Sequence, residues 1–516
     1  MREMSENKKI SINIVMSVAS FLITIFISLF ITPYIVEQLG GEAYGFVGLA
    51  NNFVSYASLI TVALNSMSSR FVSIEIYKKN YKEASKYFSS VFYANLAIAA
   101  VLLPVMAVFV WKMQCFLDIP SNLLVDVKWA FSIVFVQFLS NILLSRFEIA
   151  TFVSNRLYLE QRNNIISAIL RLVVIIVCFA MLETRISFLT LGSLIGALFV
   201  YSMNFYYTRK FIPELRVQKE FFDMQYIKRL ISSGIWNLLN KLSSILLDGL
   251  DLLITNIFIG AVEMGALSLS KTIPAMFMSL RGTLDYPFTP TMMKCYAEGD
   301  TDGVVKYARM GNKVLGVFMI APMATFIVYG MDFFSLWVPS QDSMMIQILS
   351  MLSIISLLAG ACINSVHTIF TITNKLKVNS FTILLTGIAT VITNFILLKT
   401  TDWGVYIIAG VSSVYGFLRN FIFTPLYGAY CLGVKKITFY HEILTGMICL
   451  IINLFVGAGL HYFLQGETWF SLIGSCGIMA LICLTINFFV VLSKEERVWI
   501  INAIKIKLQK KGIKEK

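Results

Sequence analysis

Apolar residues come in long blocks along this chain, and runs free of Asp, Glu, Lys and Arg cover residues 10–36, 43–69, 87–111, 186–208, 343–374, 378–398, 443–466 and 468–493. A helix needs about 20 residues to cross a hydrocarbon layer about 30 Å thick, so each run is long enough to span it. Six further stretches, 129–154, 163–182, 231–258, 264–295, 314–337 and 403–430, have spanning length but carry or border charges. The pattern predicts an all-α integral membrane protein with about fourteen transmembrane helices.

That count can be tested against charge, because Lys and Arg collect in cytoplasmic loops. With both termini cytoplasmic, Arg70, Lys78, Lys79, Lys82 and Lys86 share one inner segment. Arg209, Lys210, Arg216, Lys219, Lys228 and Arg229 share the next, and Lys306, Arg309 and Lys313 the one after. Lys375, Lys377, Lys435 and Lys436 follow on the same side. The outer loops hold Glu37, Glu42, Asp118, Asp126, Glu183 and Glu263 with few cations. Trp111, Trp129, Trp337, Trp403 and Trp469 fall at outer boundaries, where an indole sits among headgroups. The basic N-terminus (Arg2, Lys8, Lys9) leads into a run too long for a signal-peptide core, which predicts a retained first helix.

The chain also matches itself at a shift of 220 residues. Leu39-Gly-Gly-Glu-Ala-Tyr-Gly45 falls on Ile259-Gly-Ala-Val-Glu-Met-Gly265, and Asn65 falls opposite Asp285. A shift of six spans preserves orientation, so the match predicts two parallel six-helix bundles around a central cavity. The resulting organisation is an N-terminal bundle (1–210), an amphipathic cytoplasmic connector (211–230), a C-terminal bundle (231–432), helices thirteen and fourteen (433–493) and a basic cytoplasmic tail (494–516). In the tail Trp499, Ile500, Ala503, Ile504 and Leu508 form an apolar stripe beside Lys505, Lys507, Lys510 and Lys511, as expected of a surface anchor.

Composition narrows the function. Hydrophobic residues make up 57% of the 516 and charged ones 14%, which leaves too little polar surface for a soluble fold. The net charge of +13 sits in short loop clusters, so it marks membrane topology and not a nucleic-acid partner. Eight scattered Cys and three His (His367, His441, His461) assemble neither a metal site nor a nucleophile triad, and no cofactor is expected.

An ionisable group deep in a span costs at least about 2.5 to 3.5 kcal/mol, so it faces protein or a watery cavity. At 1.5 Å per residue, Arg171, Lys241, Arg281 and Arg419 lie near mid-span. Arg146 with Glu148 lies nearer the cytoplasmic end, and Lys271 nearer the outer end. Asp248 and Asp251 share one face of the seventh helix, and Asp285 lies one turn from Arg281. Two readings follow. Carboxylates neutralise cations in place, Asp285 with Arg281 and Asp248 with Lys241, and hold helices together. Alternatively, six cations against four carboxylates leave a surplus of two positive charges, in a cavity that favours an anion. Arginine forks fit phosphate oxygens, so a diphosphate is a suitable guest. The carboxylates Glu148, Asp248, Asp251 and Asp285 are then candidates for coupling or ion pairing. Pro33, Pro104, Pro274, Pro287, Pro290, Pro322 and Pro425 lie in or at the edges of spans and permit bending.

The opening run from Ser20 to Gly45, SFLITIFISLFITPYIVEQLGGEAYG, has a Pro-containing first helix that ends in a Leu-Gly turn followed by Tyr-Gly. With twelve plus two spans and the bundle repeat, the chain resembles the multidrug/oligosaccharidyl-lipid/polysaccharide exporter (MOP) superfamily. Within it the likeness is to the polysaccharide-exporter branch, the O-antigen and capsule repeat-unit flippases. That resemblance implies a transporter and not an enzyme, working by alternating access in the bacterial cytoplasmic (inner) membrane. Its cargo would be an undecaprenyl-diphosphate-linked oligosaccharide, moved to the outer leaflet for lipopolysaccharide O-antigen, capsule or exopolysaccharide synthesis. The headgroup would sit among Arg146, Arg171, Lys241, Lys271, Arg281 and Arg419, with the lipid tail outside. Membrane lipid, a polysaccharide polymerase and glycosyltransferases are the implied partners. The nearest alternatives are a lipid II flippase and a cation-coupled multidrug exporter of the same superfamily. The latter would carry an acidic residue in the first helix, and none occurs between Lys9 and Glu37.

Overall fold

Short polar residues start several of the helices by accepting a hydrogen bond from the first turn. Asn80 accepts from the Glu83 amide at 3.4 Å, Asp300 from Gly303 at 2.8 Å and Asp342 from Met345 at 2.9 Å. Thr468 and Ser471 cap each other reciprocally. A computed structural model describes residues 6–154, 156–285 and 288–497. The basic tail stripe and Pro287 therefore lie outside the described residues. The chain folds as two compact units, residues 1–269 and 270–516.

In the first unit the helices are α1 (Glu6–Leu39), α2 (Gly41–Tyr77), α3 (Tyr81–Lys112), α4 (Leu124–Leu144), α5 (Ile149–Val153), α6 (Leu157–Met181), α7 (Ile186–Phe211), α8 (Met224–Ser244), α9 (Asp251–Phe258) and α10 (Ala261–Ser270). α6 packs on α7 and α1, α2 on α8 and α3, and α4 on α7. The glycines matched by the internal repeat meet here. A Cβ on Gly45 would lie 2.9 Å from the Gly265 Cα, and one on Gly265 2.6 Å from the Gly41 carbonyl carbon. Backbones this close leave no room for a side chain at either position. The connector after α7 is largely extended, and its backbone polar groups are satisfied by α3. Ser85, Ser89 and Ser90 hydroxyls donate to the carbonyls of Glu214, Arg216 and Phe221. The same three oxygens accept from the amides of Arg216, Gln218 and Asp223.

The second unit contains α11 (Thr272–Asp285), α12 (Thr289–Ala297), α13 (Thr301–Trp337), α14 (Ser343–Ala361), α15 (Asn364–Ile372), α16 (Leu376–Thr400), α17 (Val405–Leu418), α18 (Thr424–Leu432), α19 (Tyr440–Phe463) and α20 (Trp469–Val491). Its centre is α13, on which α12, α14, α19 and α20 all pack. Buried amides join three of these helices. Asn453 donates to Asn487 at 3.0 Å, and Asn487 to the Val317 carbonyl at 3.2 Å. In an apolar surround such bonds hold helices together because the alternative is an unsatisfied polar group.

Twelve helices among the described residues are long and apolar enough to cross a membrane. They coincide with twelve of the fourteen expected segments. The other two, 231–258 and 264–295, are helical in pieces and more polar. Those two carry Lys241, Asp248, Asp251, Lys271, Arg281 and Asp285, six of the ten ionisable residues that mid-span position picks out. The tryptophans divide as well. Trp111, Trp129, Trp403 and Trp469 are exposed as boundary residues should be, whereas Trp337 is buried, stacked on Phe333 at the end of the central helix.

Candidate functional site

Where the ionisable residues sit, the helices depart from α geometry. Arg146 and Glu148 lie in a 3-10 turn, Ser145–Glu148, between α4 and α5. Asp248 lies in a π-helical turn, Ile245–Gly249, and Arg419 opens another, Arg419–Phe423. Such wide turns shift the backbone register by one residue and occur often at functional positions.

Along α8 the polar residues Ser233, Asn237, Lys241 and Ser244 recur every three or four positions, which places them on one stripe. The π turn that ends α8 is supported by α2. The Gly249 carbonyl accepts from Asn52 Nδ2 at 3.1 Å and from the Tyr56 hydroxyl at 2.6 Å. Spacing alone puts Asp248 and Asp251 on one face, but the extra residue in the turn intervenes. Asp248 is exposed and Asp251 is buried. Lys271 sits at the junction of α10 and α11.

Arg146 is tied to the backbone of α2, its guanidinium donating to the Asn65 carbonyl at 3.1 Å. Asn95 extends this cluster by donating to Asn65 Oδ1 and to the Ile142 carbonyl, both at 3.1 Å. Together with Arg146 the two asparagines join α2, α3 and α4.

Arg171 has different surroundings. It lines a cavity of about 470 Å³ inside the first unit, bounded by α1, α2, α4, α6 and α7. The position of α6 in that wall is set by α7, where Gly192 and Gly196 form a Gly-xxx-Gly pair. A Cβ on Gly192 would lie 3.1 Å from the Arg171 carbonyl oxygen, and one on Gly196 2.5 Å from Ser167 Oγ.

In the second unit the segment 343–374 breaks at Cys362 and Ile363, between α14 and α15. The break puts Asn364 and Ser365 at the start of α15, facing α11 and α13. Asp285 is buried there and accepts from Asn364 Nδ2 at 2.8 Å and from the Ser365 hydroxyl. The Ser365 amide donates to Asn312 Oδ1 at 3.0 Å. Arg281 and Arg419, 138 residues apart in sequence (419 minus 281), share a neighbourhood. A Cβ on Gly360 would meet the Arg281 guanidinium at 2.9 Å and the Asn420 amide at 3.2 Å, and Arg419 donates to Asn420 Oδ1 at 3.0 Å. His367 lies close enough to Arg419 and Arg281 to feel both charges. Sequence reasoning misses the uncharged partners Asn312, Asn364, Ser365 and Asn420. Their signal is present, since an asparagine inside a span demands a partner.

The order of helices and the location of these charges can be set beside known proteins. A family model described as polysaccharide biosynthesis protein matches residues 38–339, more than half of the chain. The uncharacterized membrane protein EpsK of Bacillus subtilis (strain 168) is 29% identical over 490 residues, covering 95% of this chain and 97% of its own length. Among solved structures, the lipid II flippase MurJ in an inward closed conformation aligns with a TM-score of 0.64 at 15% identity, over 92% of this chain and 98% of that one. An inward-facing multidrug resistance MATE family transporter of the MOP superfamily aligns with a TM-score of 0.61 at 12% identity, over 83% and 98%. At such identities the structural likeness is one of fold. The protein is a multi-pass membrane protein that shares its fold with MurJ and the MATE structure, and it belongs to the polysaccharide biosynthesis protein family.

Proposed function

We propose that the protein moves a lipid-linked oligosaccharide, carried on undecaprenyl diphosphate, from the inner to the outer leaflet of the bacterial cytoplasmic membrane for assembly of a surface polysaccharide. The observation that carries this reading is the meeting of Arg281 and Arg419 around Gly360 and Asn420. A diphosphate spreads its charge over several oxygens, and two planar guanidinium forks can each bind it through paired hydrogen bonds. Lys271, in the same unit, is a further cation for that headgroup. The membership of the polysaccharide biosynthesis family supports a glycan cargo, and the MurJ-like fold supports a lipid carrier. A drug exporter for hydrophobic cations is disfavoured by the lack of any acidic residue between Lys9 and Glu37. Two-state rocking of the transporter would expose the site to each leaflet in turn.

The test is genetic and chemical. Cells that lack the protein should accumulate a lipid-linked glycan on the cytoplasmic leaflet, and Arg281→Ala or Arg419→Ala should lower surface polymer at least about tenfold at normal protein level, the expected cost of one charge-assisted contact. Lys435→Ala, in the loop before α19, should leave polymer unchanged. Normal polymer in both arginine variants would remove them from the site. Accumulation of a peptidoglycan precursor in place of a repeat unit would reassign the cargo.

A further inference from the structure

The cavity inside the first unit has a donor set with one sign. Arg171 reaches it from α6 with a substantial exposed surface, and among the described residues it has neither a hydrogen-bond partner nor a carboxylate partner. Gln137, Asn164, Ser28 and Ser167 also line the cavity without hydrogen bonds to the described residues. The Tyr201 hydroxyl accepts from Asn141 at 2.9 Å, which leaves its own proton to donate. Other hydroxyls in the wall are already used: Thr24, Thr190 and Ser193 each donate to a carbonyl of their own helix. Among the described residues no Asp or Glu lines the cavity.

A cation that folding places in an open polar hollow without a counter-charge is a binding group awaiting one. This wall offers amide and hydroxyl donors around one positive charge, a set that suits an acceptor-rich anion. The volume of about 470 Å³ exceeds a bare ion and leaves room for several waters at about 30 Å³ each. We propose that this hollow is a binding site for a small hydrated inorganic anion, a halide or phosphate, with Arg171 as its counter-charge and Gln137, Asn164 and Ser167 as neutral donors. The site is internal to one unit and does not depend on the identity of the transported lipid.

The experiment uses the full-length protein in lipid nanodiscs and follows its thermal midpoint during titration with sodium chloride, sodium phosphate or sodium gluconate at matched ionic strength. Wild type should show a saturable rise with chloride, phosphate or both, because a ligand bound only by the folded state stabilises it. The responding salt names the anion. Gluconate, whose charge sits on a single carboxylate of a bulky polyol, should have a weaker effect at the same concentration. Arg171→Gln should weaken the response at least about tenfold, as loss of a charge-assisted contact does. Arg171→Lys, which keeps the charge without the fork, should retain part of it. Ser193→Phe fills the hollow and leaves Arg171 in place, so it should abolish the response even if Arg171→Gln fails to fold. An equal response to gluconate, no response in wild type, or a wild-type response in Ser193→Phe would each overturn the proposal.

Discussion

Two regions of the molecule treat charge in opposite ways. Around α13, α19 and α20 the charges come in closed pairs. Arg309 donates to Glu442 at 2.7 Å and Lys313 reaches both oxygens of Glu496 at 2.8 and 2.9 Å, while the Asp332 carboxylate is hydrogen-bonded to the His461 ring at 2.9 Å. In the hollow of the first unit, Arg171 has open space and donors around it and, among the described residues, no acid. A paired charge has had its desolvation cost offset within the fold, so it holds helices together and does little else. A charge left open stays available to a ligand. The same residue type therefore signals architecture in one place and binding in the other, and the neighbours decide which.

The sharpest way to break this comparison is to unpair a closed charge. Glu442 has only 1% of its side chain exposed, while Arg309 keeps 38%. Glu442→Ala should destabilise the protein by about 1 to 3 kcal/mol, since a lost charged hydrogen bond leaves its partner to find water. The loss stays below that of a fully buried pair because Arg309 can reach solvent. A thermal midpoint equal to wild type would show that the pair contributes nothing.

The converse substitution should act with opposite sign. Arg171→Met removes a cation that no acid among the described residues neutralises, so in sodium gluconate it should raise stability by about 1 kcal/mol, the usual trade between a poised site and a relaxed one. Destabilisation by this change in chloride-free conditions would place Arg171 among the structural charges and erase the contrast.

Much of this is legible in the sequence, and the failures have physical causes. Run length marks the spans because a bilayer sets one length for all of them. The repeat singles out Gly45 and Gly265, which meet backbone to backbone. Mid-span position identifies Arg171, Arg281 and Arg419, but does not tell a hollow inside one unit from a shared chamber, since that depends on which helices touch. The π turns at Ile245–Gly249 and Arg419–Phe423 add a residue that periodicity counts miss, and so the burial of Asp251 beside an exposed Asp248 is invisible to spacing. Spacing sets Asp285 one turn from Arg281, while its partners Asn364 and Ser365 come from a helix break just after Gly360, and a single glycine in a long apolar run does not by itself mark a break. The connector reads as amphipathic from Phe221, Phe222 and Tyr226, yet its extended path is set by three serines on α3.

The smallest effect lies at the exposed edge of the paired region, and pH isolates it. Glu496 follows α20 outside the spans, with 36% of its side chain exposed against 15% for Lys313. Burial alone pushes its carboxyl up, but hydrogen bonds from Lys313 and from the Ser493 backbone outweigh that, and the net pKa lies below the ordinary carboxylate range. A carboxylate whose pKa falls on folding stabilises the folded state above its unfolded value, about 4.3, and loses that contribution as pH drops through the folded value. Exposure to solvent limits the gain to well under about 1 kcal/mol. Glu496→Gln should therefore sit slightly below wild type in thermal midpoint at neutral pH and merge with it once the pH has fallen through the lowered folded value. Lys313→Gln should remove most of the difference, because the lysine supplies the main bond. A gap between wild type and Glu496→Gln that persists unchanged into acid would mean that packing around the side chain, and not its charge, holds this end of α20 to α13.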